Sequence, residues 1–198
     1  LALRRVGAVI KTLHPKRDGI EALISQIADP DLRVITLTIT EKGYCLANDQ
    51  LDLENPGITA DLETPGSPKT AIGLLAEGLS KRKDAGLPGI TILSCDNLPA
   101  NGKLCRSAVL GFAEKRDAAL HRWIEAECCF PCSMVDRITP AMTEDSYARL
   151  EAALGEADPN GILCEPFRQW VIEDDFAGQK PRWDLAGATF VSDVEPYE

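Results

Sequence analysis

The stretch Leu32–Thr40, LRVITLTIT, decides the fold. It is β-branched and apolar, with the turn-forming ADPD before it and EKG after it, which is the signature of a short buried strand. Downstream, Ser67 offers an N-cap with Pro68 at the first helical position. Ala71, Ile72, Leu75 and Leu79 then recur on one face, Lys81, Arg82 and Lys83 suit a last turn, and Gly86 ends the helix. A second apolar run, Ile90–Leu93, leads to a helical stretch over 103–127 that breaks near Asp117, with Val109, Phe112, Leu120 and Ile124 among its apolar positions. A third strand pattern covers Cys129–Met134. Thr143 caps a helix that runs to Leu154 and stops at Gly155, and 162–172 resumes as strand or extended chain. Strands alternating with helices at βαβ spacing predict an α/β fold, a parallel sheet covered by helices. The segment 48–65, rich in Asp, Asn, Gly and Pro, reads as a long surface loop, and the last fifteen residues change character near Asp184.

Composition narrows the function classes. The chain has 198 residues, 21 Lys and Arg against 31 Asp and Glu, and a formal net charge of -10. That length suits one domain with a full core. Such an acidic balance lacks the basic footprint that grips phosphate backbones, so nucleic acid is not an expected partner. No apolar run approaches the roughly 18 residues of a membrane span, and LALRRVGAVIKTLHP lacks the layout of a secretory signal, so neither a membrane nor secretion is expected. The start at Leu1 rather than Met suggests a piece of a longer polypeptide. Six of the seven cysteines sit in or beside apolar runs without a disulfide framework, which fits reduced, buried thiols in a cytoplasmic protein. Cys129 and Cys132 form a C-x-x-C, yet no second pair and no histidine pair accompanies it, so no metal is expected.

Three polar clusters follow the three strand patterns: Thr40-Glu41-Lys42-Gly43-Tyr44, Cys95-Asp96-Asn97 and Val135-Asp136-Arg137. In open α/β sheets, ligands bind beyond the carboxyl ends of the strands, so the clusters point to one shared cleft. The sequence contains no G-x-G-x-x-G, P-loop, G-x-S-x-G or H-E-x-x-H. His14 and His121 stand in contexts that suit surface or packing roles rather than catalysis.

The segments TLTITEKGYC, TPGSPKTAIGLLAEGL, ILSCDNLPANG, CFPCSMVDRITP, CEPFRQWVIEDDF and FVSDVEPYE together resemble the long-chain mannitol dehydrogenase family of polyol and uronate oxidoreductases. Their order and spacing match over nearly the whole chain; Cys128, where members more often carry an aliphatic residue, is a mild departure. The resemblance implies a Rossmann-like sheet truncated at both ends. Residues 1–183 would be the later part of the NAD-binding domain, and 184–198 the start of a helical catalytic domain. It also implies that the glycine-rich NAD turn precedes Leu1 and that a K-x-x-x-x-N-x-x-H motif follows Glu198. The 198 residues alone would then be inactive.

Residue by residue, the resemblance makes Asn97 the amide that bonds the reacting oxygen and Glu198 the acid that helps a lysine pass its proton. Asp136 would accept substrate hydroxyls, and Thr40, Glu41, Asn97, Val135 and Asp136 would face the cofactor, NAD. The implied chemistry is hydride transfer between the nicotinamide and a carbonyl carbon, with no metal. The TEKGYC and EPFRQWVIED forms lean toward fructuronate and mannonate as the sugar-acid substrate pair, with fructose and mannitol as the alternative. Arg168 stands where mannitol enzymes more often have an apolar residue, and a guanidinium suits a uronate carboxylate; a surface role for Arg168 competes with this, as an ion pair with Arg137 competes for Asp136. A non-catalytic half-domain binding module is the rival from another class.

Overall fold

The computed structural model describes Leu3, Arg4 and Val6–Glu198. Its elements run α1 (Pro15–Asp18), α2 (Ile20–Ile27), β1 (Val34–Leu37), α3 (Thr40–Gly43), β2 (Leu46–Ala47), β3 (Gln50–Leu51), α4 (Pro56–Glu63) and α5 (Ala71–Asp84), then β4 (Thr91–Ser94), α6 (Asn101–Arg116), α7 (Ala118–Glu127), β5 (Ser133–Asp136), α8 (Glu144–Leu154), β6 (Gln169–Glu173) and β7 (Thr189–Val191). They divide into two compact units: Leu13–Met134 with Trp170–Glu198, and a smaller one of Leu1–Thr12 with Val135–Gln169.

In the larger unit β1 and β4 pair in parallel, with Val34 opposite Thr91 and Leu37 opposite Ser94, and Thr91 makes a further parallel bridge to Cys129. β6 and β7 pair in parallel as well. Every residue of β4 is buried, as a parallel strand covered on both faces requires. The covering comes from Ile72, Leu75 and Leu79 of α5, Cys105, Val109 and Phe112 of α6, and Leu120 and Ile124 of α7, which join Ile92 in one core. Each such aliphatic or aromatic side chain contributes about 1.5–3 kcal/mol on burial. Residues 184–198 belong to this unit through β7 and through Val194, which is buried beside Cys132 and Val171.

Several boundaries differ from the sequence reading, each for a local reason. Strand β1 is shorter than 32–40 because Thr40 turns into the left-handed region at φ 62°. The segment 48–65 is not a loop. Asn48 and Asp49 both take positive φ, 50° and 61°, and form the two-residue turn of the antiparallel hairpin β2–β3. Asn55 then caps α4, with Pro56 at the first helical position. Helix α5 starts at Ala71, not beside Ser67, because the Asp61 carboxylate takes the amides of Lys69 and Thr70, leaving the Thr70 hydroxyl to cap Gly73. The third strand forms later than 129–134, at β5. Of 162–172, only the end forms a strand, in β6. The break near Asp117 is present: Asp117 is extended and its carboxylate caps α7 through the amides of Ala119 and Leu120.

The smaller unit is built around α8, capped by the Thr143 hydroxyl and ended by Gly155 at φ 82° as expected. There Arg137 donates to the Glu165 carbonyl, and the Glu165 carboxylate accepts from the Ile138 amide. Among the described residues no ion pair joins Asp136 to Arg137.

Arg82 is the largest fully buried side chain, only 1% exposed. Its guanidinium donates to the carbonyls of Ile27 and Asp29 at the end of α2 and to Pro88 beyond α5. The cation therefore sits at the negative end of a helix, closes the Ile27 and Pro88 carbonyls and adds a second donor to the Asp29 carbonyl, which also takes the Leu32 amide. Arg82→Met keeps the stem and removes the donors. It should lower stability by about 3–5 kcal/mol, since buried unpaired carbonyls cost about 1–3 kcal/mol each, read as a shifted urea midpoint at unchanged slope.

Candidate functional site at the strand ends

Strands β1 and β4 end side by side, so the TEKGY and CDN clusters meet at one end of the parallel pair. The meeting is made by one side chain. The Asp96 carboxylate accepts from the Thr40 amide at 2.9 Å, the Ile39 amide at 3.1 Å and the Tyr44 hydroxyl at 2.7 Å. Tyr44 is fully buried, and the Ser94 hydroxyl, 2.6 Å from the phenol oxygen, completes its bonding. Burial, together with the bond to Asp96, pushes the phenol far above its ordinary range, so Tyr44 stays neutral, donating to Asp96 and accepting from the Ser94 hydroxyl.

The next residue along, Asn97, is exposed and stands at the apex of a tight turn closed by the Leu98 amide on the Asp96 carbonyl at 2.9 Å. Its own amide makes no hydrogen bond among the described residues. The Asp96 carbonyl also accepts from the Asn101 side chain at 2.9 Å. Asn101 is fully buried at the start of α6, and its amide donates to the Ser133 carbonyl and accepts from the Ser133 amide. The Ser133 hydroxyl in turn donates to the Ser94 carbonyl at 2.6 Å. Close packing at this helix start requires Gly102: a Cβ there would lie 2.4 Å from the Phe130 carbonyl oxygen.

Beside this junction opens a cleft of about 480 Å³ lined by Glu41, Tyr44, Leu46, Asn48, Asp49, Leu98, Pro99, Ala100 and Leu104. Its size falls in the range of about 300–1,000 Å³ usual for small-molecule sites. Its lining mixes apolar side chains with Asn48, Glu41 and Asp49, and the two acids suit hydroxyl and amide groups rather than phosphate. The Glu198 carboxylate reaches the same place, accepting from the Ala100 amide at 3.0 Å and so capping α6.

The structure thus gathers Thr40, Glu41, Asn97 and Glu198 around one strand-end junction. Val135, Asp136 and Arg168 lie in the smaller unit. His14 caps α1 through its ring nitrogen, and His121 sets Nδ1 3.1 Å from the Leu110 carbonyl oxygen, so both have structural partners. Sequence reading passed over Asp96, Tyr44, Asn101 and Ser133 as individual residues. The available signal was the acid inside the CDN cluster, but its partners lie 52 to 57 residues away and no local pattern pairs them.

Residues 1–185 match the family model described as the mannitol dehydrogenase Rossmann domain. The chain is similar to the D-mannonate oxidoreductase of Escherichia coli (strain K12), 49% identical over 198 residues, which are 99% of this chain and 41% of that protein. It is also similar to the mannitol 2-dehydrogenase of Cereibacter sphaeroides, 45% identical over 196 residues, 98% of this chain and 41% of that protein. A solved structure of Pseudomonas fluorescens mannitol 2-dehydrogenase, a ternary complex with NAD and D-mannitol, matches with a TM-score of 0.87 and 44% identity, covering 91% of this chain and 37% of that one. The chain spans about 40% of the length of the curated relatives it matches.

The cysteines complete the chemistry near the sheet. All seven are unpaired, Cys164 alone being exposed, and among the described residues no three His, Cys, Asp or Glu side chains gather to hold a metal ion. No helix among the described residues is long and apolar enough to cross a membrane. Burial pushes the thiols of Cys95, Cys128 and Cys129 from an ordinary 9.0 up to about 11, and raises Cys45, Cys105 and Cys132 too. At pH 7.5 a thiol with pKa about 11 is about 0.03% thiolate, so a thiol-reactive disulfide should label Cys164 fast and the other six only as the chain unfolds. The raised values also fix a sign. The folded state holds these protons where the unfolded chain has lost them, so the stabilisation is whole below about pH 8.5 and drains away as pH climbs toward 11. Thermal melts should fall steadily between pH 8.5 and 10.5, and Cys128→Ala should flatten that fall.

Proposed function

The chain belongs to the mannitol dehydrogenase family, and we propose from that membership that it contributes the strand-end part of the active site of an NAD-dependent oxidoreductase. The substrate pair we infer is fructuronate and mannonate, with fructose and mannitol as the alternative. When bound, NAD supplies the hydride acceptor or donor. The observation that carries the reading is the junction of the TEKGY and CDN clusters beside a cleft at the carboxyl ends of parallel strands. The cleft's donor set fits the hydroxyls and amide of a nicotinamide riboside or a sugar. Nothing lining it suits pyrophosphate, which we assign to residues outside this chain.

In this reading the Asn97 amide, unpaired and exposed at its turn, donates to the reacting oxygen as negative charge develops there. Glu198 takes part in moving the proton of a catalytic lysine. Thr40 and Glu41 border the cofactor, Val135 lines the nicotinamide, and Asp136 accepts from substrate hydroxyls. Residues from Asp184 onward lead into a helical catalytic domain, and the protein works in the cytoplasm on sugar acids or polyols. Similarity to both a D-mannonate oxidoreductase and mannitol 2-dehydrogenases supports the class, and the charge we assign to Arg168 inclines our reading to the uronate.

The test is the protein expressed from its complete reading frame, assayed for NADH oxidation with fructuronate and with fructose. Turnover of fructuronate with the higher kcat/KM is expected; NADH binding without turnover of either sugar would favour the binding module instead. Asn97→Ala should cut kcat by about 10²–10³-fold, the cost of one oxyanion donor. Arg168→Val should raise KM for fructuronate by about 10–100-fold, the value of a charge-assisted contact of about 1.5–3 kcal/mol, and leave fructose unaffected. An unchanged KM for fructuronate would leave Arg168 a surface residue.

A further inference from the structure

We propose that Asp96 is a positioning residue that sets Asn97 for hydride transfer, an inference that rests on the oxidoreductase reading above. Three features of the junction carry it. First, Asp96 is held at both ends: its carboxylate takes the amides of Ile39 and Thr40 and the Tyr44 hydroxyl, and its carbonyl takes the Leu98 amide and the Asn101 side chain. With these groups engaged, Asp96 has little freedom left, and the Asn97 turn that grows directly from it inherits that rigidity. Second, the supports are themselves immobile. Tyr44 is fully buried between Asp96 and Ser94, and Asn101 is fully buried between Asp96 and Ser133. Third, the bonds end where the backbone is strained. Thr40, a β-branched residue, sits at φ 62°, a conformation such residues avoid unless their surroundings impose it. The carboxylate on the Ile39 and Thr40 amides is what imposes it. One carboxylate therefore fixes the Thr40–Glu41 turn and the Asn97 turn relative to each other.

The donor count makes the effect specific to charge and acceptor capacity. Asp96 Oδ1 meets one donor and Oδ2 meets two, so every facing group is a donor. In Asp96→Asn, either placement of the new NH₂ turns it toward N–H or O–H groups and breaks at least one bond without changing volume. The Asn97 turn then loses its anchor, and a misplaced donor costs rate more than binding.

The experiment is a double-mutant cycle in the protein expressed from its complete reading frame, following NADH oxidation with the better keto-sugar substrate. Asp96→Asn should lower kcat by about 10–100-fold while KM moves less than about threefold. Placed on Asn97→Ala, the same change should lower kcat by less than about threefold more, because its route to the reaction is already gone. A purely structural acid would instead multiply the two losses, and that result overturns the proposal, as does an Asp96→Asn enzyme within about twofold of the wild-type kcat. Where Asp96→Asn fails to fold, Tyr44→Phe removes one donor from the same carboxylate. It should show a smaller kcat loss that again vanishes on Asn97→Ala, and a loss that multiplies overturns the proposal equally. A wild-type protein that transfers no hydride to either sugar sinks the oxidoreductase reading itself, a result distinct from an active wild type that ignores Asp96.

Discussion

One carboxylate joins two turns that lie more than fifty residues apart in the chain. Asp96 takes its three donors from the segment after β1, although it lies at the end of β4. A parallel pair cannot be closed by a hairpin, so β1 and β4 meet only after the intervening helices have packed. Ladder bonds align the strands but stop at Leu37 and Ser94. Beyond that point the backbone amides of Ile39 and Thr40 have no ladder partner, and Asp96 supplies it. Hydrogen bonds from backbone amides to a charged acceptor contribute about 1.5–3 kcal/mol, so the polar junction holds the two turns in order.

A second layer of the same design runs through Asn101 and Ser133. Asn101 uses its amide as both donor and acceptor to Ser133, and spends the remaining donor on the Asp96 carbonyl. The start of α6, the end of β4 and the start of β5 are thereby joined through Asn101 and Ser133, which are both buried and both hydrogen-bonded. Such a network is more specific than apolar packing, because a shift of any member leaves a polar atom unpaired in a low-dielectric setting. It lies directly beneath the exposed side of the junction, so the order needed at the cleft is created in the core.

How much of this the sequence disclosed depends on how local each signal was. α8 was readable to the residue because its cap, Thr143, and its stop, Gly155, are neighbours of the helix they bound. The same holds for the break at Asp117. The hairpin at 46–51 and helix α4 were missed because Asn, Asp, Gly and Pro mark a long loop as well as they mark a tight turn and a helix cap; φ above zero at both Asn48 and Asp49 separates the two, and composition does not carry φ. The start of α5 was misplaced for a reason no local pattern contains, the capture of Lys69 and Thr70 amides by Asp61. At the candidate site, Thr40, Glu41 and Asn97 came from their place after strands, and the roles of Asp136, Arg168 and Glu198 came from family resemblance. Asp96 was visible only as part of a cluster, since what singles it out is a set of contacts created by the strand pairing itself.

The charge around the cleft bears on which substrate such a site would take. Glu41 and Asp49 line it, Glu198 reaches its edge at Ala100, and the chain as a whole carries a net charge of -10. At an effective dielectric near 20, a carboxylate pair about 4 Å apart repels by about 4 kcal/mol, and by about 2 kcal/mol at twice that distance. A neutral ketose meets none of this and gains hydrogen bonds to the carboxylates through its hydroxyls. A uronate must bring its own anion into the same field, so the uronate reading requires a cation that outweighs the surrounding acids. Arg168 is the residue that reading assigns to the task, and a guanidinium, always charged and able to bond both carboxylate oxygens, is the side chain suited to it. Raising the ionic strength screens the acids and the arginine together, but a contact at hydrogen-bond distance lies well inside the Debye length and is screened less than longer-range repulsion. The two substrate readings therefore part on electrostatic grounds: fructuronate affinity that holds or improves with salt fits an arginine-held carboxylate, whereas a site that evolved for a neutral ketose keeps rejecting the uronate even when its acids are screened.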